Sequence, residues 1–325
     1  MSRPVQQIPE QAGMVTVRCP FQEFKLVPIE TTTMALLFHL AECAVRYGIQ
    51  VHDFCFMSNH YHLVLTDPQG RLPDFMRDFN SAVARVLNYV AGARENVFST
   101  ERPCFVRSVG DEEEIAQSLT DRCVYTLVNP VEAGLVRRAK EWPGATSWAM
   151  EYGRPITVKR PDLKFYGKKR PKELQLVLTR PPGFDESMSD AEVREVIRSR
   201  VREKEAEILE RHRKEGKGFV GAAAVRAQSR LAKPATPHGK GVKDVKPTVS
   251  ARSKWHAIAA KQQVSEFTIR YRKALKAWKA GDRTVVFPYG TWRMARYFDV
   301  LVEDAWGSGV PRPPVDWRTI ATAAA

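Results

Sequence analysis

Hydrophobic and polar positions first alternate with a period of two, then recur with a period near 3.6. In residues 13–19, Val15, Val17 and Cys19 share one face and Thr16 and Arg18 the other, which predicts a half-buried strand ending at Pro20. Residues 30–48 set Met34, Leu36, Leu37, Leu40, Ala41, Ala44 and Val45 at helical spacing, with Thr31 to Thr33 as capping candidates and Gly48 as a stop. Two short apolar stretches, 50–57 and 61–66, flank Ser58-Asn59, whose turn chemistry predicts a hairpin. Leu72, Phe75, Met76, Phe79, Val83, Val86, Leu87 and Val90 mark a long amphipathic helix over 72–92, and 103–109 reads as another strand. Asp111 and Glu112 to Glu114 open a further helix, since acidic side chains favour a helix N-terminus, and it is expected to run to about Val128.

The order β-α-β-β-α-β-α predicts an α+β two-layer sandwich with an antiparallel sheet, broadly ferredoxin-like. After Trp148 the pattern changes. Residues 154–183, rich in Arg, Lys and Pro, read as a connector. Residues 189–215 read as a highly charged helix with a narrow stripe of Val193, Ile197, Val201 and Ile208/Leu209, suited to a partner or a coiled segment. Residues 216–254 hold almost no core formers and read as a flexible basic linker. A basic helix over 262–280, an aromatic segment at 287–292 expected to form a small satellite core, and a short helix around Met294 to Val302 complete the pass. The expected organisation is a catalytic-type domain over 1–155, a basic connector over 156–188, and a basic, mainly helical region over 189–325.

Composition narrows this picture. With 43% hydrophobic residues among 325, the chain can build a real core, which excludes wholesale disorder. The five cysteines are odd in number and form no C-x-x-C pair, so reduced thiols in a reducing compartment are expected. No run of about 18 apolar residues predicts a membrane span, and the first residues lack a signal-type apolar core, so the expectation is cytoplasmic with no membrane partner. Charge is divided unevenly. Residues 1–155 carry 15 Lys+Arg against 18 Asp+Glu, whereas 156–325 carry 36 against 19. The second half therefore has the electrostatics of a grip on a polyanion, and the first half must act through local chemistry.

The chemistry centres on Asn59-His60-Tyr61-His62. On a strand, His60 and His62 point the same way, about 7 Å apart, while Tyr61, Leu63 and Leu65 face the opposite layer and Val64 and Thr66 share the histidine face. Such a pair can converge on a divalent cation, or it can be two partly exposed strand histidines. Tyr125 and Asn129, four apart on the last helix of the first half, share a helix face. They could supply a nucleophile and an amide-oxygen ligand. Equally, Tyr125 could pack at a helix edge and Asn129 could cap a new helix with Pro130 first and Glu132 in a capping box. Two nitrogens and one amide oxygen suit Mg²⁺ or Mn²⁺. His52, on the neighbouring strand, is either an extra site residue or an edge histidine.

The strings Met57-Ser-Asn-His-Tyr-His-Leu-Val-Leu65, Tyr125 to Val136 and Trp142 to Trp148 resemble the REP-associated tyrosine transposases, relatives of single-strand insertion-sequence transposases within the HUH endonucleases. The likeness covers about residues 13–150. It implies a metal, Mg²⁺ or Mn²⁺, at His60 and His62 with Asn129 third, and Tyr125 as nucleophile. The implied reaction cleaves and rejoins single-stranded DNA at palindromic hairpins through a 5′-phosphotyrosine, by a monomer or homodimer without a small-molecule cofactor. Arg122 near the tyrosine, Lys168, Lys169 and Arg170 in one cluster, and Arg270, Arg272 and Lys273 beside Tyr271 and Trp278 in another, are the expected DNA contacts. Two other readings remain: a domesticated hairpin-DNA binder without cleavage, and a water-using metal phosphoesterase, which the lack of an Asp/Glu-rich two-metal cluster disfavours.

Overall fold

A computed structural model of the protein describes residues 4–99, 104–167, 169–234 and 248–303. The first half runs β1 (Gln11–Arg18), α1 (Glu30–Tyr47), β2 (Gln50–Phe56), β3 (His60–Asp67), α2 (Leu72–Ala91), β4 (Cys104–Ser108) and α3 (Glu112–Glu132). The second half adds β5 (Ile156–Lys159), β6 (Glu173–Leu176), α4 (Asp190–Lys214), α5 (Ala222–Arg226), β7 (Val249–Ser250), α6 (Lys254–Lys279), β8 (Val286–Phe287), α7 (Arg293–Phe298) and β9 (Leu301–Val302). No helix among the described residues is long and apolar enough to cross a membrane.

The central sheet has the order β2-β3-β1-β4-β7, antiparallel except for the short β7, which joins β4 in parallel. This is the α+β antiparallel sandwich the sequence predicts. Alternation along β3 decides which side chains meet which layer. Tyr61 is fully buried toward α2, donating from its hydroxyl to Asn80 Oδ1 at 2.6 Å and meeting the Phe79 ring edge to face. His62 points to the other face, where α3 lies. α1 and α2 therefore cover one side and α3 the other.

α3 ends differently from the sequence expectation. It does not stop at Val128, and Asn129 does not cap a new helix; the helix continues through Pro130 to Glu132. Proline forfeits one backbone hydrogen bond. Burial offsets that loss, because Val128 and Val131 pack with Cys55, Met57, Trp142 and Ile208 in one apolar cluster. At the start of α1, Ile29 occupies the capping position with no side-chain hydrogen bond, so Thr31 to Thr33 do not cap it.

The second half is more structured than its composition suggests. The expected connector contains the β5–β6 hairpin, whose Val158, Leu174 and Leu176 join the main core. Ser189 caps α4, and Val193, Ile197 and Val201 enter that same core, so the charged helix is an internal element with its apolar stripe already covered. Arg200 pairs with Asp121 and Arg211 with Glu132, and both pairs span 79 residues, so α4 runs parallel to α3 without drift. Of the expected linker, residues 222–226 form α5 and bury Val225 beside Ile208, and 249–250 form β7; residues 235–247 lie outside the described residues. α6 starts at Lys254, earlier than its periodicity suggests, because the Ser253 side chain accepts from Trp255 N. The satellite core forms as expected, with Phe287, Met294 and Ala274 buried together.

Candidate active site

Strand β3 and helix α3 bring three of the expected residues together. The His60 and His62 ring centroids lie 4.9 Å apart, and the His62 and Tyr125 rings meet edge to face at 5.2 Å. All three belong to one chain. The layers differ in exposure: His62 is 3% exposed, whereas Tyr125 above it is 45% exposed. A buried imidazole thus lies beneath a phenol that solvent and a large ligand can reach.

Each histidine is oriented by a hydrogen bond at its Nδ1. His62 Nδ1 lies 2.9 Å from the Thr16 hydroxyl on β1, its cross-strand partner. His60 Nδ1 lies 2.7 Å from Asn59 Oδ1; an amide oxygen only accepts, so this nitrogen donates and the ring lone pair falls on Nε2. Holding Nδ1 in this way is how proteins present Nε2 to a ligand. His62 Nε2 is buried and has no hydrogen-bond partner. Burial, then the charges of His60, Arg18 and Arg122, push the His62 imidazole well below its usual range, so the ring stays neutral.

An orphaned, neutral, pre-oriented imidazole nitrogen fits a metal ligand. No group of three or more His, Cys, Asp or Glu side chains among the described residues could hold a metal, so a site here rests on two histidines and a ligand of another kind. Asn129 is the candidate: it lies buried one helical turn beyond Tyr125. Arg122 is half-buried one turn before Tyr125, and its charge reaches both Tyr125 and His62.

His52 is not part of this cluster. It is fully buried, its Nδ1 donates to Thr179 O at 2.8 Å, and its Nε2 accepts from the Thr66 hydroxyl at 2.8 Å. Arg170 sits in a packed cluster: its guanidinium bonds Glu42 at 2.5 Å and lies over the Phe38 and Tyr166 rings. Lys169 is exposed on the same loop, and Lys168 lies outside the described residues. On α6, Arg272 and Lys273 are exposed, and Arg270 is exposed but paired with Glu303. The helix carries seven Lys or Arg against one Glu.

The segment from Trp142 to Trp148 supports the site from behind. Phe56 N donates to Ala145 O at 2.9 Å and Ser147 N to Phe54 O at 3.0 Å, so this segment lines the free edge of β2. Trp142 Nε1 donates to Phe56 O at 3.1 Å. A side chain at Gly144 would sit 2.7 Å from that indole nitrogen and 2.9 Å from Pro28, which is why glycine stands there. Sequence reasoning missed Asp53 and Arg194. Asp53 on β2 and Arg194 on α4 are both fully buried and 2.8 Å apart, and Ser147 and Tyr152 also donate to the carboxylate. Arg194 stands in the Val193–Ile197 turn of α4, one residue off its apolar stripe, which is the only signal the sequence carried.

Neither a protein-family model nor a curated protein matches the chain. Among solved structures it is similar to one described as a REP-associated tyrosine transposase bound to a REP hairpin. The match has 15% identity and a TM-score of 0.36, and covers 45% of this chain and 81% of that one.

Proposed function

We propose that the protein cleaves and rejoins single-stranded DNA at hairpins, with Tyr125 as the nucleophile. The observation that carries this reading is the contact of the exposed Tyr125 ring with the buried His62, whose Nε2 has no partner. The phenol oxygen bonds to a backbone phosphorus as the bond from that phosphorus to the 3′ oxygen breaks. The phenol proton leaves to solvent and the departing 3′ oxygen takes one up, giving a 5′-phosphotyrosine and a 3′-hydroxyl. The reverse attack by another 3′-hydroxyl restores a phosphodiester, so no ATP is consumed.

His60 and His62, with Asn129, would hold Mg²⁺ or Mn²⁺, which when bound polarises the scissile phosphate. The chain's own groups do the remaining work. Thr16 and Asn59 fix the two imidazoles, and α3 holds the phenol over them. Arg122 adds positive charge where the phosphate must sit. His62 and Tyr125 meet within one chain, which supports a reading in which a single subunit supplies both. The exposed cations of α6, including Arg272 and Lys273, and Lys169 supply sequence-independent phosphate contacts. A DNA substrate fits a cytoplasmic location.

The test uses the full chain, a labelled single-stranded oligonucleotide bearing a genomic palindrome, and Mg²⁺ or Mn²⁺. A covalent protein–DNA band on a denaturing gel, lost in Tyr125→Phe and on chelation, is the expected result. A native gel shift with no covalent band would replace this reading with hairpin binding without cleavage.

A further inference from the structure

β1 ends at Arg18, and three residues later the chain exposes Phe21. At 78% exposure it is the most exposed large hydrophobic side chain among the described residues. Its backbone is also unusual: Phe21 has φ 53 and Gln22 φ 60, two successive non-glycine residues in the left-handed region. Side chains with a Cβ disfavour this region, and an aromatic ring facing water returns little by burial. Folding alone gives no reason for a phenylalanine here.

The turn is tied directly to the candidate active site. Cys19 N donates to Asn59 O at 2.7 Å, Leu26 N to Ser58 O at 2.8 Å, and Asn59 Nδ2 to Gln22 O at 3.4 Å. Asn59 Oδ1 is the group that accepts from His60 Nδ1. One side chain, Asn59, therefore holds both the turn that presents Phe21 and the ring of His60. Two cationic groups lie beside the pair: Arg18 is the cross-strand partner of His60, and the Lys233 ammonium, 3.9 Å from the Glu23 carboxylate, lies 5.5 Å from the Phe21 ring centroid.

We infer that Phe21 is a stacking platform for one nucleobase of the single strand whose phosphate lies at His60, His62 and Tyr125. This rests on the DNA reading proposed above and adds to it a positioning residue outside the catalytic set. An exposed ring accepts any base by its π-face, and Lys233 and Arg18 suit the flanking phosphates. The hydrogen bonds to Ser58 and Asn59 tie the turn that carries the ring to His60, so stacking sets the strand's register at the scissile bond.

Two variants separate stacking from a structural role. Glycine adopts a positive φ without penalty, so Phe21→Gly should unfold at the same temperature as the parent or a higher one. The same variant should bind a fluorescein-labelled single-stranded oligonucleotide roughly tenfold more weakly in an anisotropy titration. Phe21→Trp keeps the π-face and should restore parental affinity. Parental affinity in Phe21→Gly would overturn the stacking role while leaving the DNA reading standing. Failure of the parent protein itself to bind the strand would overturn both.

Discussion

Thr16 and His62 face each other across β1 and β3, and the Thr16 hydroxyl lies 2.9 Å from His62 Nδ1 while His62 Nε2 is buried without a partner. A hydroxyl at one ring nitrogen fixes which nitrogen faces the ligand. Thr16→Val keeps the shape of the side chain and removes that contact. Outer-shell partners of ligating histidines typically account for 10- to 100-fold in metal affinity. The expected outcome is a Mn²⁺ requirement for the covalent product that rises by roughly tenfold or more, with the maximum product little changed. Metal titration of the adduct assay measures it, and an unchanged requirement would show that His62 needs no such support.

Arg194 and Asp53 connect α4 to β2 with neither side chain exposed. The guanidinium also bonds Ser147 O at 2.5 Å and Trp148 O at 3.2 Å, so it joins three segments. Removing one partner of a buried pair leaves a charge with nothing to offset its lost hydration. Arg194→Ala should therefore cost about 3–5 kcal/mol in urea unfolding. Arg213→Ala, which breaks a pair with both side chains solvent-exposed, should unfold like the parent. A small loss in Arg194→Ala would mean that water or a shifted side chain compensates for Asp53.

The first-half elements were legible from the alternation in β1, the two apolar runs of β2 and β3 about a turn, and the helical spacing of the apolar set in α2. Alternation placed His60 and His62 on one face of a strand, but it was the resemblance, not spacing, that singled them out together with Tyr125. Two things were hidden. The end of α3 was misread because a local rule, proline as a helix start, lost to burial of Val128 and Val131 against Trp142. The connector over 154–183 and the linker over 216–254 hold more structure than was legible, because their composition is basic and their apolar positions are sparse. Val158, Leu174 and Leu176, spread over some twenty residues, form a core only against α1. Arg194 shows the same limit, since no local pattern tells a buried arginine from a surface one.

Arg170 and the Arg272–Lys273 pair were expected to act alike on DNA, but their surroundings differ. Arg170 bonds Glu42, which also accepts from His39 at 2.9 Å, and packs on Phe38 and Tyr166. Arg272 and Lys273 are exposed on α6. Arg170→Ala should lower stability and leave the salt dependence of DNA binding as it is. The double substitution Arg272→Ala and Lys273→Ala should leave stability alone and flatten the plot of log affinity against log salt by about 1 to 2 in slope, as expected for two lost phosphate contacts. Anisotropy titrations across a salt series decide this. An unchanged slope would remove α6 from the DNA path.

Stability should fall with acid in a range set by buried histidine. Burial lowers the His52 imidazole to about 4, against the weaker opposing effects of Thr179 and Asp53. Its Nδ1 serves a carbonyl and its Nε2 accepts from the Thr66 hydroxyl, so a second ring proton would require that hydroxyl to turn and accept, and would place a charge in a fully buried site. The sign follows from linkage. Below about 6.5 the unfolded chain binds a proton at this position that the folded chain refuses until about 4. Stability is thus complete above 6.5 and is lost as pH falls between those values. His52 alone contributes a loss of about 2 kcal/mol between pH 7.5 and 5. Burial also lowers His39 and His62, which act in the same direction. His52→Asn retains a donor toward Thr179 and cannot titrate. Urea unfolding at both pH values should show a smaller difference for this variant than for the parent by about that amount. An equal difference in the two proteins would mean that His52 gains its proton by local opening without unfolding the sheet.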